Sequence, residues 1–138
     1  MFIRRVTRPR SSAQTVTGIK VVDASALAAI LFAEPEADIV AERLAEGRLV
    51  APALLDYELA NVCLTKLRRQ PGEREALRAA FRLRGRLKID TVAVDHLAVL
   101  DLAVATRLTV YDASYLWLSR TLDGELVTLD RKLAAASV

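Results

Sequence analysis

The chain has 138 residues, 53% of them apolar and 5% aromatic, with a formal net charge of +3. That composition fits one domain built around an Ala, Leu and Val core, and it excludes a disordered chain. One cysteine (Cys63) and one histidine (His96) exclude an intramolecular disulfide and a Cys/His zinc site.

Residues 1–18 read as a basic, flexible N-terminal arm. Arg4, Arg5, Arg8 and Arg10 lie in it, no acid precedes Asp23, and the apolar middle of a secretory signal is missing. Beyond the first twenty residues the balance reverses to fifteen basic and seventeen acidic side chains, so the basic isoelectric point does not describe the body of the protein. No apolar run approaches the ~20 residues of a membrane span, and a cytoplasmic location is expected.

Residues 19–22 form a short β-branched run that reads as a buried strand. Residues 24–33 follow as a helix stopped by Pro35, and residues 36–46 as a second helix closed by Gly47. Residues 49–51 are a second strand. Pro52 suits the first turn of a longer helix that ends near Pro71 and Gly72. A helix over 73–83, a third strand over 89–94, and a helix capped by Asp95 and running to Arg107 come next. Asp112 starts a helix that runs to Leu122, residues 125–129 are a fourth strand, and Asp130 begins a closing helical turn or two. Short apolar strands alternating with helices or helix pairs predict an α/β fold. Its parallel sheet has four to five strands, with helices on both faces.

In such sheets ligands bind beyond the carboxyl ends of the strands. Asp23 and Asp130 directly follow the first and fourth strands, and Asp112 opens a helix after a short loop. Glu58 lies within a helix among Leu55, Leu59 and Val62, on or beside its buried stripe. If the first and fourth strands are neighbours, Asp23 and Asp130 face one crevice. Gathered carboxylates raise one another's pKa, and a divalent cation relieves the repulsion. An all-oxygen donor set without His or Cys suits Mg²⁺ or Mn²⁺ and not Zn²⁺. Each acid also has an ordinary explanation: Asp23, Asp112 and Asp130 as helix N-caps, Glu58 as a boundary residue. Asp38, Glu42, Glu46, Glu73, Glu75 and Asp101 fall on helix surfaces and Asp123 in a turn, and none is assigned chemistry.

Four motifs carry a family resemblance: Val21-Val22-Asp23-Ala24-Ser25, Glu58-Leu59-Ala60-Asn61-Val62, Tyr111-Asp112-Ala113-Ser114-Tyr115-Leu116, and Leu126-Val127-Thr128-Leu129-Asp130-Arg131-Lys132-Leu133. In this order they resemble the PIN-domain family, and within it the VapC-type toxins of type II toxin–antitoxin pairs, over residues 19–138. The resemblance implies a Rossmann-like PIN fold and a homodimer. It implies an Mg- or Mn-dependent ribonuclease that hydrolyses RNA phosphodiester bonds by water attack, neutralised by a cognate antitoxin. It makes Asp23 and Asp112 the principal metal ligands, completed by Glu58 and Asp130. Ser25, Asn61 and Thr128 become small polar residues that orient those carboxylates or the substrate. Two departures stand out: the arm before the first strand, and a chain that stops soon after Asp130 where many relatives add an edge strand.

Several readings stay open at this level. The basic run between Lys66 and Lys88 is either a phosphate-contacting face or a solvated helix pair. Leu27, Ile30, Leu31, Ile39 and Val40 are either an antitoxin groove or core and dimer contacts. Trp117, beside Tyr115, suits core packing better than base stacking. The alternative function is a catalytically weak PIN module that binds RNA or antitoxin without efficient cleavage. A phosphoacceptor receiver domain fits poorly, because Asp23 has no acidic neighbour and no Lys ends the fourth strand.

Overall fold

The computed structural model describes residues 18–138. The expected arm, Gly18 apart, therefore lies outside the described residues. Four strands, β1 (Ile19–Val22), β2 (Arg48–Pro52), β3 (Asp90–Val92) and β4 (Glu125–Val127), form one parallel sheet in the order β3-β2-β1-β4. Among the described residues seven α-helices flank it: α1 (Ala24–Leu31), α2 (Ala37–Leu44), α3 (Leu55–Arg69), α4 (Arg74–Arg82), α5 (His96–Thr106), α6 (Val110–Leu122) and α7 (Arg131–Ala136).

Successive strand residues point to opposite faces. Val21 and Val22 are both fully buried, as are Val50 and Ala51, so both faces of β1 and β2 are covered. This is why these strands carry unbroken apolar runs. Helix α6 packs on β1, β2 and β4 and is backed by α5 and α7, while α1 packs on α2 and α3. Leu27, Leu31, Val40, Leu55, Leu59, Leu116 and Leu122 fill the layers between.

Strand order puts β1 between β2 and β4, so the chain winds one way from β1 to β3 and returns to the other side at β4. The register pairs Val22 with Val127, and the Asp23 amide donates to the Val127 carbonyl at 3.2 Å. The carboxyl ends of β1 and β4 thus open side by side at the reversal point, where α/β sheets bind ligands.

The structure corrects several boundaries. Pro52 is the last residue of β2, paired with Val92, and α3 starts only at Leu55. Lacking an N–H, Pro52 suits a strand end, and the next amide, Ala53, donates to the Val92 carbonyl. β3 and β4 are three residues each, shorter than expected. No fifth strand occurs among the described residues, and α7 follows β4 directly. Of the residues offered as an antitoxin groove, Leu27, Leu31 and Val40 belong to the core, whereas Ile39 is exposed. No helix among the described residues is long and apolar enough to cross a membrane.

Candidate functional site

A cleft of about 530 Å³ opens above the β1 and β4 ends. Asp23, Ser25, Leu54, Tyr57, Glu58, Asn61, Val62, Tyr111, Asp112 and Asp130 line it. All four expected acids meet there, delivered by the β1–α1 junction, α3, α6 and the β4–α7 junction. No lysine or arginine is among the described lining residues.

Asp23 is 4% exposed and caps α1, its Oδ1 accepting from the Ala26 amide at 3.1 Å. The Ser25 hydroxyl donates to the same oxygen at 2.7 Å, and the Thr128 hydroxyl donates to Oδ2 at 2.7 Å. Both hydroxyls in turn accept backbone amides of the β4–α7 loop, Leu129 N–H at 2.9 Å on Ser25 and Asp130 N–H at 3.0 Å on Thr128. A hydroxyl has one proton. With their lone pairs facing amide donors, both hydroxyls spend that proton on Asp23, which fixes the plane of its carboxylate. Burial pushes the Asp23 pKa up, the hydroxyls and the Ala26 amide oppose that, and the charge of Asp112 adds to it.

Glu58 is half-buried on α3. The Tyr115 hydroxyl donates to its Oε1 at 2.6 Å, and Tyr115 itself is 1% exposed. This tyrosine is the polar partner that a carboxylate at a buried boundary needs. Lys66, the first base along the same helix, is engaged elsewhere, with Glu34 at 2.8 Å. Burial raises the Glu58 pKa, Tyr115 lowers it, and the charges of Asp112 and Asp23 raise it further. Burial and Glu58 together push the phenol of Tyr115 up, so it remains a proton donor.

Asp112 is not the cap of its helix. Thr109 caps α6, its Oγ1 accepting from the Asp112 amide at 3.1 Å, which leaves the Asp112 carboxylate free in the first turn. Burial raises the Asp112 pKa, as does the charge of Asp130, while Lys132 and the Thr109 contact lower it. Asp130 does cap α7, through Leu133 N–H at 2.9 Å, and lines the cleft as well. Asn61 lines the cleft, yet its side-chain amide bonds none of the four carboxylates. Of the three small polar residues, then, Ser25 and Thr128 hold a carboxylate and Asn61 faces open space.

The donor set fits a hard divalent cation: oxygen atoms alone, three acids raised by burial first and by one another's charge after it, and no lysine or arginine among the described lining residues. Among the described residues no ready-made cage of three or more acidic, His or Cys side chains is assembled around one point. Mg²⁺ keeps several waters and needs only one or two direct carboxylates, so an open, partly water-filled arrangement is compatible with it.

Sequence reasoning passed over Tyr57 and gave no site role to Tyr111, Tyr115 and Lys132, although these three lie inside the motifs it singled out. A signal existed for two of them, since Tyr57 and Tyr111 immediately precede Glu58 and Asp112. The Tyr115–Glu58 bond joins residues 57 positions apart, which no local pattern reveals.

A family model for the PIN domain matches residues 20–138. Ribonuclease VapC3 of Pyrobaculum aerophilum is 32% identical over 119 residues, covering 83% of this chain and 91% of that protein. The crystal structure of PAE2754 from Pyrobaculum aerophilum superposes with a TM-score of 0.69 at 28% identity, covering 87% of this chain and 85% of that one. On the family-model match over residues 20–138 and the 32% identical relative, this chain belongs to the PIN-domain family.

Proposed function

We propose that this protein is a metal-dependent endoribonuclease that hydrolyses RNA phosphodiester bonds at the acidic cleft, and that a cognate antitoxin neutralises it. The observation that carries this reading is the meeting of Asp23, Glu58, Asp112 and Asp130 in one cleft with no basic residue on its described wall. The similarity to a protein named Ribonuclease VapC3 supports it. Asp23 and Asp112 would hold Mg²⁺ or Mn²⁺, with Glu58 and Asp130 beside them. When bound, the cation neutralises the carboxylates and supplies Lewis acidity to the attacking water and to the phosphoryl oxygens.

The chain's own residues do the rest. Ser25 and Thr128 hold Asp23 in one orientation. Tyr115 occupies Oε1 of Glu58 and holds its carboxylate in place, which leaves Oε2 to take a proton from the attacking water. Lys132, close enough to lower the Asp112 pKa, meets the substrate phosphate. Arg68, Arg69, Arg74, Arg78, Arg82, Arg86 and Lys88 make no ion pair among the described residues and are exposed, so they are free to hold flanking phosphates. Arg84 is tied to Asp56 at 2.7 Å and is not counted with them.

Two surfaces suit partners. Leu97, Leu100 and Val104 are exposed at i, i+3 and i+7 on α5, an apolar stripe that a second copy of the chain would cover. A groove of about 300 Å³ between α3 and α4, lined by Cys63, Leu64, Leu67, Phe81, Arg78 and Arg82, suits an amphipathic acidic segment of the antitoxin. The site of action would be the cytoplasm.

RNA hydrolysis by the purified chain tests the proposal. Cleavage is expected with Mg²⁺, absent in EDTA, and at least ~100-fold slower in Asp23→Asn and Asp112→Asn. Cleavage that persists in EDTA or in both variants would refute it. RNA binding without Mg²⁺-dependent cleavage would favour the binding module instead.

A further inference from the structure

The chain has three tyrosines, and only Tyr115 belongs to the core. Tyr57 is 83% exposed and Tyr111 62% exposed, and both line the acidic cleft. They come from different helices, α3 and α6, each one residue before an acid of the site. Neither hydroxyl is hydrogen-bonded among the described residues, and neither ring joins the hydrophobic core. Folding therefore gives neither position a reason to be aromatic. Tyr is a weaker helix former than Ala, Glu or Lys, and each ring leaves apolar surface in water.

A ligand supplies the reason. The cleft wall is acidic, so without a cation it repels phosphates, whereas a nucleobase is uncharged and offers a π face. Stacking on aromatic rings accepts any base and needs no hydrogen-bond code. Asn61 lies one turn along α3 from Tyr57, at i+4, with a side-chain amide uncommitted among the described residues and able to meet a base edge. Paired, stacked bases cannot reach such a platform, whereas single-stranded ones can be splayed onto it.

We propose that Tyr57 and Tyr111 are base-stacking residues that grip unpaired nucleobases beside the phosphate to be cut, so that the cleft accepts RNA only where the flanking bases are unstacked. This rests on the reading of the cleft as an RNA-cleaving site. Binding of a randomised single-stranded 12-mer RNA pool, with Ca²⁺ replacing Mg²⁺, tests it. The comparison includes an abasic pool and a fully paired duplex, and the same proteins are assayed for cleavage in Mg²⁺. Tyr57→Ala and Tyr111→Ala are each expected to raise Kd about 5- to 150-fold. Tyr57→Phe and Tyr111→Phe should bind as the unmodified chain does, all four variants should keep its Tm, and the abasic pool should bind weakly and equally to all. Alanine variants that bind the single-stranded pool as tightly as the unmodified chain, or a duplex bound as tightly as single strands, would overturn the stacking role. Mg²⁺-dependent cleavage by the unmodified chain would then leave the ribonuclease reading standing. An unmodified chain that neither binds nor cleaves any of these RNAs would overturn both.

Discussion

Asp23 sits at 4% exposure with three hydrogen-bond donors on its two oxygens. A carboxylate offers about four acceptor sites, so one remains open toward the cleft. Thr128→Val removes a donor to this buried charge and also orphans the Asp130 amide. Chemical denaturation is expected to show a loss of about 1.5–3 kcal/mol, with cleavage reduced about 10- to 100-fold, as for other residues that orient metal ligands. Tyr115→Phe keeps the ring in the core and deletes only the bond to Glu58. It should cost about 1 kcal/mol and lower kcat more than it raises KM for RNA; unchanged kinetics would show that Glu58 does not depend on this phenol. At this scale the site was partly legible. Asp23 and Asp130 follow strands and Asp112 opens a helix, so position along the chain alone sends all three to one rim. Glu58 was harder. Its boundary position calls for a partner, and Tyr115 of α6 already satisfies one of its oxygens, a pairing made by one long-range hydrogen bond between helices distant in the chain.

Among the elements, α6 shows how a helix start can be shared between two residues. Thr109 takes the capping hydrogen bond and Asp112, three residues later, is released for the cleft. Thr109→Ala should lower stability by about 1 kcal/mol, and Thr109→Ser should restore it; thermal melts of the pair check this. Cleavage should fall in the Ala variant, because the first turn that aims Asp112 then frays. Helices were legible because Pro35, Gly47, Asp95 and Pro71 punctuate apolar periodicity. Strand ends were less so. Pro52 reads equally well as the last residue of a strand or the first of a helix, and only the pairing of β2 with β3 decides for the strand. The expected extensions of β3 and β4 lie where the chain turns to set Asp95 and Asp130 as caps, so backbone pairing gives way to capping.

For the whole molecule, the charge pattern sets a pH dependence. Asp23, Glu58 and Asp112 have folded-state pKa values above their ordinary ones. In that window the folded chain holds more protons than the unfolded chain, so stability falls as pH rises from the ordinary carboxyl range through the raised values. Glu125, held low by Lys20 and Arg43, acts below that range, where stability is lost as pH falls. The metal-free protein should therefore have its highest Tm at mildly acidic pH and a lower one near neutrality. Mg²⁺, by binding the folded state, should restore the neutral-pH Tm. A Tm that ignores both pH and Mg²⁺ would contradict a repulsive acidic cluster. The proposed dimer face on α5 makes a separate prediction: light scattering should find the unmodified chain as a dimer and Val104→Glu as a monomer with its helical content intact, and a monomeric unmodified chain would contradict it. The fold itself follows from unbroken apolar strands alternating with helices, and the neighbouring of β1 and β4, which brings the acids together, is a property of the assembled sheet. Whether those acids share a divalent cation is decided most directly by Mn²⁺ binding, measured by electron paramagnetic resonance on the unmodified chain, Asp23→Asn and Asp112→Asn. The predicted result is a bound ion in the unmodified chain that both substitutions release, together with RNA cleavage; Mn²⁺ bound with the same stoichiometry and affinity in all three would contradict it.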